Sequence, residues 1–214
     1  MAMRHVSRLS RKVARRHPLR DARLLFRRQC SSGTMTTTDN KKARPAFYLA
    51  HMNYARLRAP LDDPTMGEFR LALDPINALA RVTPGFVWSL NEVCDEDRAT
   101  VPLLRDDPLM MPQLSLWENA TSLRHFAFSS GHAMYLKRKK EWFHPPPSSS
   151  ASGKIPYAVC WWWHPTSDDR AHPSLSDAFD RLAHLQQHGS TATAFDLKVA
   201  RDFDMPISYI GRNK

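Results

Sequence analysis

No apolar run in this chain approaches the roughly 18 to 20 residues that a helix needs to cross a bilayer, so the sequence reads as a soluble or at most peripheral protein with no transmembrane segment. Cysteine is scarce as well. Cys30, Cys94 and Cys160 are odd in number and include no CxxC pair, which suggests neither a disulfide framework nor a zinc site and points to a reducing compartment. There is no P-loop, no GxGxxG and no Ser/His/Asp order, leaving NTPase, dinucleotide and hydrolase readings without support. No set of side chains is predicted to hold a metal: His184 and His188 offer only two ligands, and a helix-end dipole explains them more simply.

What is present begins with charge. The net charge of +10 resembles that of a nucleic-acid binder, but residues 1–44 hold 13 of the 31 Lys and Arg against 2 of the 21 Asp and Glu. That segment carries +11 and the remaining 170 residues carry −1, so the folded part is near neutral and nucleic acid is not an expected partner. Within the first 34 residues Asp21 is the only acid; Arg4, Arg8, Arg11 and Arg15 share one helical face, opposite Val6, Leu9 and Val13. A basic amphipathic leader of this kind predicts a mitochondrial presequence and a matrix destination. A start at Met35 with a cytoplasmic product, or a plastid destination, is the alternative.

Three units follow: the leader 1–44, a domain over 45–195, and a tail over 196–214. Residues 46–53 read as the first strand. Thr65 and Glu68 have capping-box spacing before an apolar stripe of Met66, Phe69, Leu73, Ile76 and Ala80, which predicts a helix. Pro75 predicts a kink in it, or a second helix capped by Asp74. Residues 86–90 form the second strand, and 92–107, with six acids, a solvated connection. Residues 109–117 form the third strand. Residues 144–153 are a Pro/Ser-rich connector. The fourth strand covers 157–163, with aromatic residues on both of its faces, and Ser174 caps a last helix that ends at Gly189.

Between the third and fourth strands lies a helix interrupted once, at Ser129-Ser130-Gly131, with His132 opening the next run. An imidazole there can reach a pocket between helix and sheet as a general base, a hydrogen-bond donor or an axial haem ligand, or it can cap the interrupted helix structurally. Trp88, Trp117, Trp142 and Trp162 can line a pocket for a flat apolar ligand; core packing alone would look the same.

The order strand, helix, strand, strand, helix, strand is the split βαβ arrangement: a four-stranded antiparallel sheet with helices on one face, here with an added C-terminal helix. The second face would be bare and aromatic, which predicts burial against a twin copy or a guest molecule. Residues 72–80 (ALDPINALA), 84–88 (PGFVW), 114–118 (LSLWE), 130–132 (SGH), 141–143 (EWF) and 161–163 (WWW) together resemble the domain-of-unknown-function 3291 family, over about 47–195. That resemblance implies an α+β, ferredoxin-like βαββαβ fold of the dimeric α/β-barrel superfamily, which includes antibiotic-biosynthesis and haem-degrading monooxygenases. It implies a homodimer and no settled reaction.

By type, Asn53, Trp117 and His132 (or His125) match the residues used by haem-degrading relatives. The expectation is a monooxygenase-type oxidoreductase acting on or binding an apolar or aromatic small molecule, with no cofactor predicted. His132 is the catalytic candidate, and Asn53, Trp88, Trp117, His125, Trp142 and Trp162 are the ligand-binding candidates. A non-catalytic dimeric ligand-binding or scaffold module is the alternative, and a haem-binding or haem-degrading monooxygenase the second.

Overall fold

A computed structural model describes residues 47–146, 155–165 and 172–200. The leader read as a presequence, residues 147–153 of the connector and the tail from 201 lie outside the described residues, as does the first of the chain's two compact units, 1–31.

In chain order the elements are β1 (Tyr48–Arg56), α1 (Gly67–Val82), β2 (Phe86–Ser89), α2 (Asp95–Thr100), α3 (Pro102–Asp106), β3 (Met110–Trp117), α4 (Ala120–Arg124), α5 (His132–Arg138), β4 (Ala158–Trp163) and α6 (Leu175–His188). The four strands form one sheet in the order β2-β3-β1-β4, every neighbouring pair antiparallel. A mixed α+β fold is thus observed, and the strand order is consistent with the ferredoxin-like expectation.

Because strand side chains alternate, β1 sends Tyr48, Ala50, Met52 and Tyr54 to one face and Leu49, His51 and Asn53 to the other. The first face also carries Trp88, Leu114, Leu116, Val159 and Trp161, all buried. It is not bare. Leu175, Ala178, Leu182 and Leu185 of α6 pack on it, as do Val101, which joins α2 to α3, and Leu104 of α3. Each of the three α6 leucines contributes about 2 kcal/mol by leaving water. The expectation of helices on one face only is therefore corrected: the chain's own helices cover the aromatic face. The acidic stretch expected as a solvated loop supplies part of that cover. Two of its apolar residues, Val101 and Leu104, anchor two short helices, with Asp95, Glu96 and Asp106 left exposed.

Two other expectations change. Asp63, not Thr65, caps a short 3-10 turn over Pro64–Met66, its carboxylate accepting from the Thr65 backbone N–H at 2.8 Å. Pro75 then sits inside one continuous 16-residue helix rather than starting a second. It does so because both Pro75 and Leu71, whose carbonyl loses its usual partner, are on the solvent side, where water can serve that carbonyl. The last helix is as read: Ser174 Oγ accepts from the Asp177 N–H at 3.1 Å, and Gly189 ends it at φ 73°. Packing continues beyond it, since Phe195 is fully buried and bridges to Cys160 on the outer edge of β4.

Candidate functional site

The second face of the sheet lies under α1, α4 and α5, and its residues can be taken row by row from the strand register. One row is Trp162, Leu49, Trp117 and Phe86, from β4, β1, β3 and β2. The next is Cys160, His51 and Ser115. The third is Ala158, Asn53 and Gln113. The first row is apolar and packs with Ala80, Leu123, Phe126 and Phe195 into one cluster. Beyond the third row a separate apolar cluster closes the other end, built on Leu57, Met66, Phe69 and Trp142 with Met111 and Tyr135 against it.

Between the two clusters runs a polar belt. Although β1 and β3 are the two central strands, His51, Asn53 and Ser115 are only half-buried and Gln113 is exposed. The helices therefore leave the middle of this face incompletely covered, most of all at Gln113. His51 lies deep among protein atoms yet keeps some accessible surface. Its ring has no hydrogen-bond partner among the described residues. Burial holds its imidazole down to about 4; a charged His132 pushes in the same direction and the Asp196 carboxylate opposes them. The neighbouring Cys160 thiol is pushed far up, mainly by burial, so it stays protonated and is not a nucleophile.

His132 hangs over this belt from the helix layer. The interruption expected at Ser129-Ser130-Gly131 is present: α4 gives way to a wide π turn over His125–Ser129, Ser130 becomes extended, and α5 begins at His132. The imidazole stacks on Phe126 at 4.8 Å, Phe126 lies 5.3 Å from Trp117, and Trp117 meets Phe86 edge-on at 5.3 Å. Nδ1 lies 3.2 Å from the Ala127 carbonyl, which can only accept, so Nδ1 carries the proton when the ring is neutral. Nε2 is left as the basic atom, with no partner among the described residues. Trp117 Nε1 donates to Ser115 Oγ at 3.0 Å, linking the aromatic ladder to the polar belt.

Of the residues expected from sequence, Asn53, Trp117, Trp162 and His132 come to this one face. Trp88 is on the opposite face, stacked on His172 at 4.3 Å, its buried Nε1 without a partner among the described residues. His125 is exposed on the outside of the π turn, and Trp142 is sealed in the far apolar cluster beneath Arg138. His51, Ser115 and Gln113 were not anticipated. A signal for the first did exist: His51 and Asn53 stand two apart in an otherwise apolar strand, which puts two polar side chains on one face.

A family model described as domain of unknown function, DUF3291, matches residues 48–206. The chain belongs to this family. No curated protein and no solved structure matches it. Membership of DUF3291 carries no reaction with it, so the function has to be argued from the site. Among the described residues of this DUF3291 domain no group of three or more His, Cys, Asp or Glu is placed to hold a metal ion, and no helix is long and apolar enough to cross a membrane.

Proposed function

We propose that a gap between the sheet and the helix layer binds a flat apolar or aromatic small molecule and that His132 exchanges a proton with it, in a monooxygenase-type oxidation. The observation that carries this reading is the His132 ring: stacked on Phe126, its Nδ1 committed to a backbone carbonyl, its Nε2 without a partner among the described residues, and near enough to half-buried His51 on the sheet for its charge to be felt there. A neutral imidazole so held can take a proton from a phenolic or activated C–H position. The resulting anion is the species that molecular oxygen attacks when no cofactor takes part. Asn53, Gln113 and Ser115 supply neutral hydrogen bonds, and Trp117 and Trp162 bound the apolar end.

Two further readings come from the same residues. If the gap binds but does not react, the domain is a non-catalytic ligand module. Haem is the other, and one feature suits it: a histidine with Nδ1 anchored and Nε2 free is the usual form of an axial ligand. Trp117 does not fit, because it is 1% exposed and occupied by Phe86 and Phe126, leaving it no face for a macrocycle.

Oxygen uptake with anthrone or a naphthol, together with quenching of tryptophan emission, separates these readings. We expect saturable quenching, and turnover that falls about 10²-fold or more in His132→Ala while quenching persists. Quenching without uptake selects the binding module, and a Soret shift on haem titration that His132→Ala abolishes selects haem. Absence of both quenching and Soret change sinks all three. We also propose mitochondrial import through the basic leader: residues 1–34 fused to a fluorescent reporter should colocalise with a matrix dye, and a diffuse cytosolic signal rejects it.

A further inference from the structure

On α1 four apolar residues stand in water. Leu71 and Val82 are each 76% exposed, and Pro75 and Ala78 between them are exposed too. Spacings of four, three and four put them on one stripe, the pattern of a seam between two helices. Glu68 and Leu79 are the α1 side chains that reach the neighbouring helix, at Arg138 and Gly131. At 100° per residue the stripe lies about 60° round from them, on the solvent side of the α1–α5 groove. In the π turn and α5, Phe128 and Met134 are exposed too, at 59% and 64%. The four α1 residues alone form a continuous apolar stripe, which is more than scattered exposure explains.

We propose that this stripe is the interface with a second copy of the chain, α1 packing antiparallel on α1 about a two-fold axis between positions 76 and 77. The stripe is its own complement under that axis. Leu71 meets the partner's Val82 and Pro75 meets the partner's Ala78, so small residues at the centre let the helices approach and larger ones fill the ends. The charges agree. Asp74 and Arg81 are exposed along one flank, and neither has an ion pair among the described residues. Symmetric antiparallel pairing brings like flanks together, so Asp74 faces the partner's Arg81 and Arg81 the partner's Asp74, each within a turn of level. The sheet face that a dimeric α/β barrel would use is already filled by α2, α3 and α6, which leaves it unavailable to a twin copy.

Sedimentation equilibrium on the full chain at roughly 10–100 µM, a range that populates even a weak isologous contact, provides the test. The wild type should weigh twice the chain mass of 24.6 kDa. Leu71→Glu and Val82→Glu should each shift it to 24.6 kDa while leaving the circular dichroism of the folded chain unchanged, since both positions are in water in the single chain; the melting temperature should fall only by what association contributed. Asp74→Arg should weaken the dimer and Asp74→Arg with Arg81→Asp should restore it. A wild type that stays monomeric in this range, or a dimer that survives Leu71→Glu, overturns the proposal. A double charge exchange that fails to recover the dimer overturns the antiparallel arrangement.

Discussion

Lowering the pH from 7 to 4 should cost this protein about 3 kcal/mol of stability through one side chain, His51, and His51→Gln should remove that part of the loss. The imidazole has an ordinary value of 6.5 and is held to about 4 in the fold. Between those values the unfolded chain binds a proton that the folded chain refuses, so stability rises with pH through this window and falls as acid is added. Above pH 6.5 both states are neutral and the difference vanishes. The other perturbed groups act lower: Glu68, Asp107 and Glu141, held down chiefly by hydrogen bonds from arginine, begin to lose their contribution only as the pH falls through their ordinary values of 4.5, 3.8 and 4.5, at the acid end of this window and below it, and they do so equally in wild type and His51→Gln. Asp196→Asn should steepen the His51 loss, because its carboxylate is the one group favouring the imidazolium. Urea midpoints at a series of pH values are the measurement. Parallel curves for wild type and His51→Gln would mean that the ring is not held neutral by burial, and the gap would lose its main electrostatic feature.

The second large effect lies at the entry to β2. Gly85→Ala should cost about 3 kcal/mol, combining left-handed backbone strain with an overpacking clash. Gly85 has φ 82°, and a Cβ there would sit 2.2 Å from Ser122 Oγ and 2.8 Å from Ser122 Cβ. Its carbonyl also accepts from the Glu118 N–H at 2.8 Å, so the turn cannot swing away without releasing the end of β3. Ser122→Gly in the same chain should recover the clash but not the strain, leaving the Gly85 substitution a residual cost of about 1–2 kcal/mol. Gly67→Ala is the counter-case: φ is −56° and nothing lies within 4 Å of the added carbon, so a gain of about 0.5–1 kcal/mol is expected. Equal urea midpoints for Gly85→Ala and wild type would contradict the close approach of β2 to α4.

How far the letters carried the reading differs by element. Four strands were readable because each pairs an apolar alternation with a clear boundary. The last helix was readable because Ser174 and Gly189 mark its ends chemically. The broken helix and the place of His132 followed from three weak helix formers in a row. The cover on the aromatic face was hidden, because a few apolar residues scattered among many acids look like a loop until a sheet is there to receive them. His51 was hidden for a similar reason: a single histidine in a strand looks like an ordinary surface residue until the row beside it and the helix above it are known.

The sequence by itself determined the order of the four strands, α1, the broken helix and the last helix, the near-neutral domain behind a basic leader, and the family, since periodicity, capping residues and charge are local properties that a linear chain displays. Only the tertiary structure decided that α2, α3 and α6 close the aromatic face. It also decided that His51 and Ser115 lie side by side on the partly covered sheet face with His132 close to His51, and that an apolar stripe of α1 is left in water. Which surfaces are left over depends on how distant segments compete to cover the same sheet, and that competition is not written in the spacing of neighbouring residues.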